Sequence, residues 1–334
     1  MRISALPAAL CVAAFAGASL AQDDGPATSF PLAAKAGVDS HADTIAPSGA
    51  VNQGAFNMNS WKFGHALDAP ANTPIWNPVK LKMIQGGKVT GGTVFSSTDP
   101  ETYCAMANAG YDFIWTEMQH NSRDWESVAR MWNACPHAKA VPGVRVAYTD
   151  EREIQHALDA GALVLVVPTV DTVEEAIEAR NWAYFPPLGR RSNGGGQAFD
   201  SGVWGGVPGG YRNTINDNLV LVLMIETLEG LKNADEIAKV PGIHVLFIGP
   251  RDLSHDLGVP GDTSAPAFQD ALKRVLAAAE DAGLAAGILA PDAETARRYA
   301  DRGLRFIGIG SDATLLALAG KHAVDRVRRT RASG

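Results

Sequence analysis

Basic runs, long apolar spans and cysteines are all scarce in this chain of 334 residues. Twenty-nine Lys and Arg against 36 Asp and Glu leave a formal charge of −7. That balance argues against nucleic acid or an anionic membrane surface as the main partner. Past the first two dozen residues no segment is long and apolar enough to span a bilayer. No Gly-rich dinucleotide fingerprint follows the first predicted strand, which weakens an open, doubly wound nucleotide-binding sheet. What the chain does have is apolar material: 46% of its residues are hydrophobic, enough for one large domain or two ordinary ones.

The N-terminus, "MRISALPAALCVAAFAGASLAQDDG", carries Arg2, a short apolar stretch and small residues before Gln22. Ser19 and Ala21 fit the −3 and −1 positions of a cleavage site, so residues 1–21 are read as a signal peptide rather than a membrane anchor. The expected location is periplasmic or secreted, with no membrane span after cleavage. Cys11 leaves with that peptide, and Cys104 and Cys135 remain. One falls inside a predicted helix and the other at the C-terminal end of the next. In a βα repeat those positions differ in height, so free thiols are expected. Residues 22–77 are rich in Ala, Gly, Pro, Asn and Ser and read as a linker and irregular extension. The aromatic "FNMNSWKFG" (Phe56 to Gly64) within it suits packing on the main domain or a neighbouring subunit.

From Pro78 onward short Val/Ile-rich runs alternate with amphipathic stretches. The runs are Val89–Phe95, Tyr111–Glu117, Ala140–Val146, Ala162–Pro168, Leu219–Glu226, His244–Gly249, Leu284–Leu289 and Phe306–Gly310. Helices are predicted over Asp99–Ala109, Asp124–Asn133, Glu151–Ala160, Thr172–Trp182, Ala265–Ala282 and Ala293–Arg302. Eight doubly buried strands alternating with helices predict a (β/α)8 TIM barrel over residues 78–334. The long connection between Trp182 and Leu219, with Arg190 and Arg191, is expected on the C-terminal face, covering substrate or touching another subunit.

Glu226 ends the fifth run and Asp252 follows the sixth, so both project onto one barrel rim. Two carboxylates on neighbouring strands suit a hard divalent cation such as Mg²⁺ or Mn²⁺, with water positions that an α-keto acid can take. The alternative is a Glu226–Arg pair and a turn capped by Asp252. His120, after the second run, is a candidate general base or a structural histidine. Glu117, three residues earlier, could accept a hydrogen bond from its ring. Arg145 sits among valines in the third run and needs an anionic partner, from the protein or from a substrate.

"LDAGALVLVVPTVDTVEEA" (Leu158 to Ala176), "FPPLGRRSNGGGQA" (Phe185 to Ala198), "IETLEGLKNADEIAKVPGIHVLFIGPRDLS" (Ile225 to Ser254) and the His-bearing second run resemble the HpcH/HpaI aldolase and citrate-lyase-β-like family. The resemblance covers roughly Pro78 to Val327. It implies a barrel with an exchanged C-terminal helix, assembled as a homo-oligomer (hexamer or trimer). It also implies a class II pyruvate aldolase that uses Mg²⁺, Mn²⁺ or Co²⁺ to cleave or form 4-hydroxy-2-oxo acids, releasing an aldehyde. Glu226 and Asp252 match the metal-binding acids and His120 the catalytic histidine. Arg145 matches the arginine that binds pyruvate and steadies the enolate, and Gly249 and Pro250 match the segment lining the keto-acid site.

Three positions depart from that pattern. Glu117 stands where Asp is common, Gln119 where Glu is common, and Met224 where a Gln commonly contacts the keto acid. Met224 shares a strand face with Glu226 and cannot donate a hydrogen bond. Two other readings therefore stand beside the pyruvate aldolase. One is a related lyase or hydrolase on a larger or aromatic oxo acid, favoured by Trp115, Trp182 and Trp204. The other is a non-catalytic exported binding protein, against which the joint presence of His120, Arg145, Glu226 and Asp252 argues.

Overall fold

The computed structural model describes residues 73–194 and 204–330, so the predicted signal peptide and nearly all of the extension, including Phe56 to Gly64, lie outside the described residues. Eight strands close into one barrel: β1 (Val89–Val94), β2 (Phe113–Glu117), β3 (Val141–Arg145), β4 (Val164–Val167), β5 (Val220–Ile225), β6 (Val245–Ile248), β7 (Ala285–Ala290) and β8 (Phe306–Ser311). Each pairs in parallel with the next, and β8 returns to β1. β2 through β6 are buried at every residue, as expected of parallel strands covered by helices outside and side chains inside.

Helices follow the strands: α2 (Pro100–Ala107), α3 (Trp125–Asn133), α4 (Glu151–Ala160), α5 (Val173–Ala183), α7 (Leu228–Ala238), α8 (Pro250–Asp256), α9 (Pro266–Asp281) and α10 (Ala293–Asp301). Most start where a side chain meets the first free backbone amides. Asp99, Asp124, Asp150, Thr172, Thr227 and Asp292 all accept such bonds, and Thr172 with Glu175 forms a reciprocal capping box. Those caps place the predicted helix starts within a residue or so of the observed ones.

Inside the barrel, Phe113 stacks on Phe306 at 4.7 Å, Phe247 meets Phe306 edge-on, and Trp115 meets Phe247 at 5.4 Å. Gly91 makes room for this column: a Cβ there would lie 2.2 Å from the Phe113 ring. α1 (Pro78–Ile84) covers the barrel floor, where Asn77 bonds the carbonyls of Leu163 and Asn218. Lys80 of α1 is fully enclosed and bonds the ring of His244, just before β6.

Two expectations need correction. The long connection leaves the end of α5 and enters the start of β5, so its described part lies at the N-terminal end of the strands, opposite the active-site rim. There it forms α6 (Tyr211–Asn218), and Trp204 donates to the Gly161 carbonyl just before β4. Arg191 pairs with Asp159, and Arg190 stacks over Trp182 at 4.5 Å. The described part of this segment braces the fold at that end, away from the rim.

The second correction concerns the cysteines. Cys104 and Cys135 form a disulfide, with Cα atoms 5.7 Å apart. α2 is only two turns long, so Cys104 lies in its last turn while Cys135 lies just past the end of α3. The parallel neighbours bring both to one height.

The chain closes with α11 (Asp312–Thr330), about 28 Å long at 1.5 Å per residue. Beyond its first turn it is mostly exposed, with Leu316, Leu318 and Val324 open to solvent. No helix of the described residues is long and apolar enough to cross a membrane.

Candidate active site

The C-terminal rim is organised around a buried acid at the end of β2. Glu117 and Arg145 are register partners across β2 and β3, which sets their side chains together. Glu117 Oε2 accepts from Arg145 Nε at 2.8 Å, lies 2.7 Å from Arg145 Nη2, and also accepts from the Trp115 indole at 3.2 Å. Its other oxygen accepts the backbone amides of Gln119, at 2.7 Å, and His120, at 3.2 Å. Glu117 therefore holds the backbone that carries His120, not its ring as the sequence had suggested. The His120 side chain is exposed to solvent.

That loop is fastened from two further sides. Arg123 donates to the carbonyls of Val94, Glu117 and Ser97, and Asn121 donates to the Glu117 carbonyl. Asp312, the first residue of α11, collects the amides of Phe95, Ser96 and Ser97. The turns after β1 and β2 and the start of α11 are thus one hydrogen-bonded unit. Sequence reasoning did not single out Arg123 or Asp312, because their partners are main-chain atoms.

Arg145 is held on one edge by Glu117 and lies over the Trp115 ring at 5.3 Å. Its Nη1 contacts Met224 Sδ at 3.8 Å. Met224 is buried and points into the barrel mouth, as the period of β5 predicts. Of the three tryptophans weighed for substrate binding, only Trp115 is at this site. Trp182, in the last turn of α5, and Trp204, in the connection after it, lie at the other end.

Glu226, the residue after β5, is 3% exposed. Its Oε1 accepts from the Thr169 amide at 2.8 Å and the Thr169 hydroxyl at 2.9 Å. Its Oε2 is buried with no hydrogen-bond partner. Gly249 forms the floor beneath it, and a Cβ there would lie 2.2 Å from that oxygen. Pro250 opens α8, and Asp252 sits exposed in its first turn. Burial pushes the Glu226 carboxyl upward from its ordinary value and the Asp252 charge adds to this, while the Thr169 bonds and Arg145 pull it down. A buried acid with one unmet oxygen beside a second carboxylate is a site short of positive charge.

The donor set fits a hard divalent cation: all oxygen and anionic, with Glu226 buried and Asp252 exposed. Among the described residues no group of three or more His, Cys, Asp or Glu converges. A cation at Glu226 and Asp252 would have two protein carboxylates to bind. The structure brings together Glu117, Arg145, Met224, Glu226, Gly249, Pro250 and Asp252, with His120 on the loop that Glu117 ties. It adds Thr169, which the sequence reading passed over.

Comparison with known proteins gives consistent findings. Residues 93–319 match the HpcH/HpaI aldolase/citrate lyase family. A hydroxypyruvate/pyruvate aldolase of Delftia acidovorans is 39% identical over 228 residues, 68% of this chain and 84% of that protein. A 4-hydroxy-2-oxo-heptane-1,7-dioate aldolase of Shigella sonnei is 35% identical over 214 residues, 64% of this chain and 81% of that protein. The crystal structure of an HpcH/HpaI aldolase/citrate lyase family protein from Burkholderia cenocepacia superposes with a TM-score of 0.70. It is 33% identical and covers 75% of this chain and 99% of its own.

Proposed function

Because the chain belongs to the HpcH/HpaI aldolase/citrate lyase family and is an aldolase-type carbon–carbon lyase, we propose that it cleaves and forms 4-hydroxy-2-oxo acids with a divalent cation held by Glu226 and Asp252. The observation that carries the cation is Glu226 Oε2, buried and unmet beside a second carboxylate. When bound, the cation polarises the keto group and stabilises the enolate charge.

The chain's own residues supply the rest. Arg145, fixed on one edge by Glu117, offers Nη1 to the oxo acid and balances its charge. His120, acting directly or through a water, removes the proton of the 4-hydroxyl. The C3–C4 bond breaks as C4 becomes the aldehyde carbonyl. Its electron pair goes to C3, giving the enolate, which takes a proton to become the 2-oxo acid. Trp115 and Met224 line the site with apolar surface beside Arg145.

Mg²⁺, Mn²⁺ and Co²⁺ all suit the oxygen donors. The Cys104–Cys135 disulfide supports an oxidising compartment and so a periplasmic or secreted enzyme, in line with the N-terminal segment. The exposed leucines of α11 support a homo-oligomer, a hexamer or trimer, in which a neighbouring subunit covers them.

Met224 supports a second reading, in which the oxo acid is larger or aromatic. A thioether lies against Arg145 where an amide would donate to a small keto acid. Exchange of pyruvate methyl protons with D₂O by metal-loaded protein tests the first reading. Glu226→Gln should abolish both that exchange and Mn²⁺ binding. A wild type that neither exchanges pyruvate nor cleaves any hydroxy-oxo acid rejects the assignment, and turnover of aromatic oxo acids alone selects the second.

A further inference from the structure

We infer that Thr169, at the end of β4, is a positioning residue that fixes Glu226 as a one-oxygen metal ligand. This rests on the cation reading above. Thr169 has φ +49°, and it is the only non-glycine residue among those described with a positive φ. A β-branched residue avoids the left-handed region, because its Cβ crowds the neighbouring carbonyl. Backbone of this kind persists where surrounding contacts over-determine it, and it clusters at functional sites.

The contacts here are specific. The left-handed turn aims the Thr169 amide and its hydroxyl at the same atom, Glu226 Oε1, at 2.8 and 2.9 Å. Thr102 and Ser264 serve single oxygens of Asp99 and Asp262 in the same way, but those acids are exposed, whereas Glu226 is buried. Here both serve Oε1, and Oε2 is left unmet over Gly249. The carboxylate plane cannot rotate without breaking both bonds, so Oε1 is kept from a cation and Oε2 is presented. A one-oxygen ligand leaves an extra position on the cation, and a 2-oxo acid needs two for its carboxylate and keto oxygens.

The test is Mn²⁺ binding by calorimetry on the full chain, with kcat and KM followed alongside. Thr169→Val keeps the shape and the branched Cβ but removes the hydroxyl. Thr169→Ser restores the hydroxyl, and Thr169→Gly relaxes the backbone while removing it. Val and Gly should each weaken Mn²⁺ binding about 10–100-fold, with Ser within about threefold of wild type. The KM for the oxo acid should rise in Val and Gly even at saturating Mn²⁺. Thermal melts in EDTA separate this from unfolding, since Gly removes the backbone strain and should fold at least as well as Val. Wild-type affinity in both Val and Gly overturns the inference and leaves the metal site standing. A wild type that binds no Mn²⁺ overturns the metal site itself, and the inference with it.

Discussion

Glu117→Gln separates holding the site from taking part in the chemistry. The carboxylate serves the Trp115 indole, two nitrogens of Arg145 and the amides of Gln119 and His120. A glutamine offers one oxygen and one NH₂. In one orientation the NH₂ faces the two amides, and in the other it faces Arg145 and Trp115. Either way donors confront donors, and Arg145, 7% exposed, loses its counter-ion.

Breaking a buried ion pair from one side costs about 3–5 kcal/mol. Glu226 also feels the Arg145 charge and offers partial compensation, so the low end, about 3 kcal/mol, is expected. For a domain of this size that lowers the melting temperature by about 6–10 °C. A displaced His120 loop and Arg145 should reduce kcat/KM about 100-fold. The inflections of the pH–rate profile should stay in place, because Glu117 does not touch the His120 ring. Glu117→Asp keeps the charge but cannot span both sets of donors, and should fall between wild type and Gln. Calorimetric melting and the pH dependence of kcat/KM decide the matter. An unchanged melt with a shifted inflection would refute the reasoning and restore Glu117 as the partner of the imidazole.

Reducing the Cys104–Cys135 disulfide, which closes a 31-residue separation, should cost about 3–4 kcal/mol by loop entropy; an unchanged denaturation midpoint in the double Ser variant contradicts this. Met224→Gln should lower KM for pyruvate about 2–10-fold by one added hydrogen bond, and no change for any oxo acid would remove residue 224 from substrate selection. Lys80 should make stability rise with pH. Burial brings its ammonium down to about 7 from 10.5, against the pull of Asp217. Between those values the unfolded chain holds a proton that the folded one lacks, so stability increases as pH climbs through the window and the gain is absent below it. Urea midpoints at pH 7 and 9.5 check the slope, which Lys80→Met should flatten.

The strands were legible because parallel strands are buried on both faces, and a run such as Val220–Ile225 has no other use. The helix starts were legible because Asp and Thr caps are chemical marks in the sequence. α6 was not, since "YRNTINDN" carries no apolar stripe and is helical only against the barrel floor. The disulfide turned on where α2 stops, a boundary two residues short of its predicted end at Ala109. The long connection was misplaced by attending to its composition. Chain direction alone, from helix end to strand start, puts its two described ends on the floor.

At the site, period two placed Met224 and Glu226 on one face, whereas the Glu117–Arg145 pair was missed because it follows from the register of β2 on β3, which the sequence does not print. Thr169 and the Glu117-to-His120 amide bond depend on turn dihedrals after the strands end, where no period operates. The left-handed turn that aims Thr169 at Glu226 therefore leaves no mark in the sequence. The same limit applies to exchanging metal ligands between relatives. On the proposed cation site, matching acids would fix which atoms face the cation's place, but the turn beside them would fix how many oxygens they present, and a chain could keep Glu226 and Asp252 while differing there.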